Sequence, residues 1–121
     1  MDINNYIDLC VINNTHYDIS LVVFKILKGK YRYIKNNIWE YLDKNGCWVI
    51  DKAQSNLKYS IKTDIYRCFI KRSIEWSENK KANNDNLENT IMFNKLLFIS
   101  SKLLENKFIS SIIKESRQFF I

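Results

Sequence analysis

The sequence predicts an α+β fold, mainly α-helical, with a small antiparallel β-meander or hairpin inserted after the first helix and three helices following it. Three observations carry that prediction. Apolar residues recur at three- and four-residue spacing before residue 29 and again after residue 51. Between them, residues 31–50 hold short β-branched and aromatic runs separated by turn-forming residues. The chain has 121 residues, 46% hydrophobic, 14% aromatic and 26% charged, which is globular composition at single-domain size. A chain of this length can remove about two-thirds of its unfolded surface from water, so one core suffices.

Residues 1–14 are read as an N-terminal extension, where Ile3, Tyr6, Ile7, Leu9 and Val11 follow no decisive period and allow either a short helix or a strand. Thr15 then opens a capping-box-like sequence with Asp18 three residues on, and Tyr17, Leu21, Phe24 and Leu27 recur at helical spacing. A helix from His16 to Lys28 follows, with Gly29 where a left-handed C-terminal cap is wanted.

Tyr31–Lys35, Ile38–Leu42 and Cys47–Ile50 read as three strands, joined by Asn36-Asn37 and by Asp43-Lys44-Asn45-Gly46. Trp39 and Tyr41 share one face of their strand, and Trp48 is expected to oppose one of them across the ladder. From Asp51, with Gln54 three residues on, the helical period returns: Leu57, Ile61, Ile65, Cys68 or Phe69, and Trp76 form a stripe, and Lys58, Lys62, Arg67, Lys71 and Arg72 spread over the remaining arc.

Residues 77–86 have almost nothing to bury and read as a mobile linker within the domain 1–121. A helix over 87–104 should present Leu87, Ile91, Leu96, Phe98, Ile99 and Leu103, and one over 107–120 should present Phe108, Ile109, Ile112, Ile113 and Phe119, with Asn106 as the N-cap between them.

The net charge of +6 is unevenly spread. Residues 1–24 carry Asp2, Asp8 and Asp18 alone (−3), residues 25–81 carry fourteen Lys or Arg against six acids (+8), and residues 82–121 carry five against four (+1). Concentrated positive charge attracts polyanions, so nucleic acid is the leading partner class, and a solvated basic surface serving solubility is the bland alternative. The candidate phosphate-binding residues are Lys28, Lys30, Arg32, Lys35, Lys58, Lys62, Arg67, Lys71 and Arg72, with Trp39, Tyr41 and Trp48 as candidates for base stacking. Tryptophans on a small sheet more often fill a core, and that reading stands beside the functional one.

Catalytic signatures are missing. Gly29-Lys30-Tyr31 lacks the upstream glycine and the hydroxyl of a phosphate-cradling loop. One histidine, His16, and three scattered cysteines make a zinc site unexpected, and Cys10, Cys47 and Cys68 read as reduced thiols. A His16–cysteine couple or a magnesium site at Glu40, Asp43 and Asp51 is conceivable, but capping and turn roles account for these residues more simply. No cofactor and no enzymatic activity are expected. No run is long enough to span a membrane and the first residues lack a basic n-region, so an intracellular protein without a membrane partner is expected.

The order of several motifs resembles a known family. His16-Tyr17-Asp18-Ile19-Ser20-Leu21-Val22, Tyr31-Arg32-Tyr33, Ile38-Trp39-Glu40-Tyr41-Leu42, Cys47-Trp48-Val49-Ile50-Asp51, and the closing stretch from Lys102 to Phe120 with its Ile112-Ile113-Lys114-Glu115 run are similar to the region preceding the superfamily III helicase module in primase-helicases of poxviruses and giant DNA viruses. The resemblance spans about residues 15–120. It implies a DNA-replication connector beside a ring-forming helicase, with helicase or primase subunits as partners, oligomerisation, and residence in the host cytoplasm. Neither enzymatic module is present in this chain, and none of their residues is carried over.

The expected function is thus a non-enzymatic replication accessory that binds DNA weakly and helicase subunits through an apolar face. The alternative is a protein–protein adaptor, including one for host factors, working through Phe108, Ile112, Phe119 and Phe120 without nucleic acid.

Overall fold

The computed structural model describes residues 2–78 and 86–121, and the fold is α+β and mainly helical. The open N-terminal segment is a helix, α1 (Ile3–Asn13): the Asp2 side chain caps it by accepting from the Asn5 amide at 3.1 Å, and Asn14 ends it in the left-handed region at φ 53°. Next comes α2 (His16–Leu27), with the Thr15 hydroxyl accepting from the Asp18 amide and Gly29 leaving at φ +84°.

Three strands, β1 (Tyr31–Lys35), β2 (Ile38–Leu42) and β3 (Trp48–Ile50), form an antiparallel meander in the order β1-β2-β3. Asn36 and Asn37 both have positive φ, 49° and 64°, the backbone of a two-residue hairpin turn whose twist matches the strands. At the second turn the Asp43 carboxylate accepts from the Asn45 and Cys47 amides at 2.9 and 2.8 Å. That turn fixes a register in which Trp48 opposes Leu42 and Val49 opposes Tyr41. The expected pairing of Trp48 with Trp39 or Tyr41 is therefore wrong: the bonded pair Asp43–Cys47 puts Trp48 on the other face of the sheet.

After β3 the chain does not enter a helix directly at Asp51. Ala53 and Gln54 both lie in the left-handed region, at φ 54° and 53°, and carry it round a tight turn (Lys52–Gln54) before α3 (Ser55–Ser60) begins. Asp51 still serves as a cap, at longer range. Its buried carboxylate accepts from the Asn56 and Leu57 amides at 2.9 and 3.0 Å and from the Asn56 side chain at 3.0 Å.

From α3 the helix runs through a π turn (Ile61–Ile65) into α4 (Tyr66–Glu78). The buried positions are Leu57, Ile61, Ile65, Phe69 and Ser73, a strict four-residue repeat. In an uninterrupted α-helix that repeat drifts about 40° per step, so the stripe would rotate off the core within a few turns. A wider π turn takes up the excess residue and keeps Phe69 in phase with Leu57. Cys68 is half-buried at the edge of the stripe.

Ser77 and Glu78 are still helical and Asn86 already begins α5 (Asn86–Lys102), while most of the expected linker lies outside the described residues. The last helix, α6 (Asn106–Ser116), has Glu105 rather than Asn106 at its N-cap position. It ends four residues earlier than expected, and the freed tail folds back so that the Phe120 carbonyl accepts from the Tyr33 amide at 2.9 Å along the β1 edge.

Packing runs α1 on α2, α2 on α6, and α4 on α5, around one core that includes Val22, Leu27, Trp39, Phe69, Leu96 and Ile112. Trp39 is 1% exposed and sits with Tyr33 at 5.3 Å and Phe120 at 5.4 Å between ring centroids. Each such pair adds about 1 kcal/mol beyond burial. The sheet is thus sealed to the helices by its inner face, Tyr31, Tyr33, Trp39 and Tyr41, and the Tyr31 hydroxyl bonds the Asn56 carbonyl at 3.0 Å and the Ser60 hydroxyl at 2.7 Å.

Candidate nucleic-acid interface

Strand alternation decides which basic residues share a surface. With Tyr31, Tyr41 and Val49 in one row on the inner side, the rows on the outer side are Lys30–Leu42–Trp48 and Arg32–Glu40–Ile50. Leu42 donates its amide to the Lys30 carbonyl at 2.9 Å, which extends the ladder to Lys30. Arg32 lies with its guanidinium carbon 4.3 Å from the centroid of the Trp48 ring, and its Nε donates to Glu40 Oε1 at 2.6 Å. The carboxylate anchors the guanidinium on the indole, forming a stacked platform whose aliphatic surroundings are Ile34, Leu42 and Ile50, all exposed. Lys28, Lys30 and Lys35 are exposed, and no ion-pair partner is present for them among the described residues.

The remaining predicted cations lie elsewhere. Lys58 and Lys62 each follow a buried stripe residue by one position and flank the α3–α4 rod, and Lys62 Nζ is 2.7 Å from Asn106 Oδ1 on α6. Arg67 and Lys71 each follow a buried residue by two, about 200° round the helix, and so face solvent away from the core. Arg67 approaches Asp64 at 4.0 Å. Because α3 lies against the inner face of the sheet through Tyr31, the rod cations and the outer-face cations are on different sides of the sheet. The nine candidates do not form one surface.

Arg72 is not a surface cation. It bonds Asp8 twice, Nη2 to Oδ2 at 2.7 Å and Nε to Oδ1 at 3.0 Å, and reaches Glu75 at 3.1 Å. These carboxylates raise its pKa further above the ordinary arginine value, against the opposing effect of burial. The Trp76 indole donates to the same Asp8 at 3.0 Å. Part of the contrast between the acidic N-terminus and the basic middle of the sequence is thus consumed internally.

Two of the three stacking candidates are corrected as well. Trp39 is core, and Tyr41 is half-buried on the inner face; only Trp48 stands on the outer side. Of the proposed protein-binding residues, Ile112 and Phe120 are buried and Phe119 packs half-buried against Tyr17 and Phe24, so only Phe108 borders a surface groove. The apolar residues that are exposed include Leu87, Ile91 and Phe98 of α5, which were expected on its inner stripe; Met92, Leu96, Ile99 and Leu103 take that place. An outward apolar face on a helix already supplied with an inward one was legible only as a surplus of apolar residues.

His16 is exposed at the start of α2 with its ring edge-on to Phe108 at 5.2 Å, and the cysteines lie apart as buried Cys10, half-buried Cys68 and exposed Cys47. Burial pushes the Cys10 thiol far up, helped by the nearby charge of Asp18, and burial likewise raises Cys68. Among the described residues no group of three His, Cys, Asp or Glu could hold a metal ion, and no helix is long and apolar enough to cross a membrane. Compared with known proteins, the chain matches no family model, no curated protein and no solved structure.

Proposed function

We propose that this chain is a non-enzymatic accessory module of DNA replication, a connector of the kind that stands before the helicase in viral primase-helicases, and that it binds single-stranded DNA weakly through the outer face of its sheet. The observation that carries the reading is the Arg32–Trp48 stack beside uncompensated Lys30. A guanidinium plane already laid on an indole accepts an unpaired base on its free side, and every base has a π-face, so such a site tolerates any sequence. Lys28, Lys30 and Lys35 supply phosphate contacts around it. Exposed Lys58, Lys62, Arg67 and Lys71 on the helical rod extend the positive field that attracts the strand without sharing its platform.

Fluorescence anisotropy with a labelled oligothymidylate tests this. Trp48→Ala and Lys30→Glu should each weaken binding about tenfold or more, within the 1–3 kcal/mol of one stacked base or a reversed contact. Equal affinity of both variants and the parent chain would reject the sheet face as the site.

A further inference from the structure

The fold covers α5 on one side only. Met92, Leu96 and Leu103 are buried, yet Leu87, Ile91 and Phe98 are 71%, 41% and 63% exposed. A helix apolar round most of its circumference is ordinarily enclosed, so the outer side of α5 lacks a cover that its composition calls for.

Leu87, Ile91, Lys95, Phe98 and Lys102 succeed one another at steps of four, four, three and four, which places them on a single stripe about 22 Å long. Along its C-terminal half this stripe becomes one wall of a groove. The opposite wall is the corner between α1 and α2, with Val11, Ile12 and Ile19, and two adjoining hollows meet at Asn14, Phe98 and Ile99. Lys95 and Lys102 stand two helical turns apart on either side of Phe98. Lys102 lies 5.4 Å from the Phe98 ring and 3.9 Å from Glu105, whereas Lys95 has no ion-pair partner among the described residues. Asp18, the carboxylate nearest on α2, is engaged by Thr15 and Asn13.

We propose that this groove seats an acidic amphipathic helix of a partner protein, with apolar residues one turn apart against Phe98 and Ile12 and carboxylates two turns apart against Lys95 and Lys102. The charge selects the occupant. A second copy of the stripe offers two lysines and no carboxylate, so self-pairing sets cation against cation. A nucleic acid would find aliphatic walls with one aromatic ring, and a bilayer has no projection to fill a concave channel. The groove lies on helices α1, α2 and α5, separate from the sheet face assigned to DNA, and stands or falls independently of that assignment.

The probes are two designed 18-residue helical peptides with the same leucine stripe, one flanked by Glu and the other by Lys, titrated into the full chain with amide NMR shifts and fluorescence anisotropy as readouts. The Glu peptide should bind and shift Ile12, Phe98 and Ile99, and the Lys peptide should bind at least tenfold more weakly. Phe98→Ala, at an exposed position, should weaken the Glu peptide about tenfold. The variant Lys95→Glu/Lys102→Glu should exchange the preference in favour of the Lys peptide. Oligothymidylate affinity should remain that of the parent in Phe98→Ala. Absence of Glu-peptide binding, equal binding of both peptides, indifference to Phe98→Ala, or Phe98-dependent capture by anionic vesicles instead would each overturn the proposal.

Discussion

Arg72 and Asp8, 64 residues apart in the chain, meet through two hydrogen bonds of 2.7 and 3.0 Å, with side chains only 21% and 15% exposed. This contact ties α1 to α4 and turns an apparent surface charge into a structural one. Removing either partner leaves a sheltered charge without its counterpart. Arg72→Gln or Asp8→Asn should each cost about 2 kcal/mol in urea unfolding, and the double variant should cost less than the sum. Oligothymidylate affinity should stay near that of the parent in Arg72→Gln, which separates this arginine from the DNA-binding set.

The two strand tryptophans should behave oppositely. Trp39→Ala empties a fully buried site in an aromatic cluster and should destabilise by about 3–5 kcal/mol or prevent folding. Trp48→Ala loses a half-exposed ring and its cation–π contact and should cost only about 1 kcal/mol of stability. Thermal denaturation of the two variants side by side measures the contrast.

Much of the architecture was legible from local chemistry. Thr15 with Asp18, Gly29, Asn36-Asn37 and Asp43 through Gly46 each perform the capping or turning role their side chains suit, and so the boundaries of α2 and the meander follow from residues a few positions apart. What escaped the sequence depends on register and long-range contact. Whether Trp48 or Trp39 faces inward turns on a one-residue choice at the β2–β3 turn, and periodicity is blind to it. Arg72 is indistinguishable from Lys71 by spacing until α1 brings Asp8 beside it. The four-residue repeat from Leu57 to Ser73 was visible as a stripe, although the π turn that keeps it aligned was not inferred.

That repeat gives a further expectation. Deleting Thr63 would turn the π turn into ordinary α-helix and rotate everything after it by about 100°. Phe69 would leave the core and Arg72 would leave Asp8, so the deletion should abolish cooperative unfolding, whereas Thr63→Ala should change stability by less than about 1 kcal/mol. Circular dichroism melts distinguish the two.

Thiol reactivity should follow burial. Cys47 is exposed in the β2–β3 turn, Cys68 is half-buried with a raised pKa, and Cys10 is enclosed with its thiol pushed up by burial. Iodoacetamide at neutral pH should label Cys47 first and leave Cys10 unmodified until the protein is unfolded, as read by peptide mass mapping.

The salt dependence of oligothymidylate binding tests the central claim most directly. Each phosphate contact on a single strand contributes about 0.7 to the slope of log affinity against log salt, so Lys30→Gln/Lys35→Gln should flatten that slope by about 1.4. Lys62→Gln/Lys71→Gln, on the rod, should flatten it by less. An unchanged slope in the first variant, or a parent chain that does not bind at low salt, would contradict the assignment of the sheet's outer face to DNA.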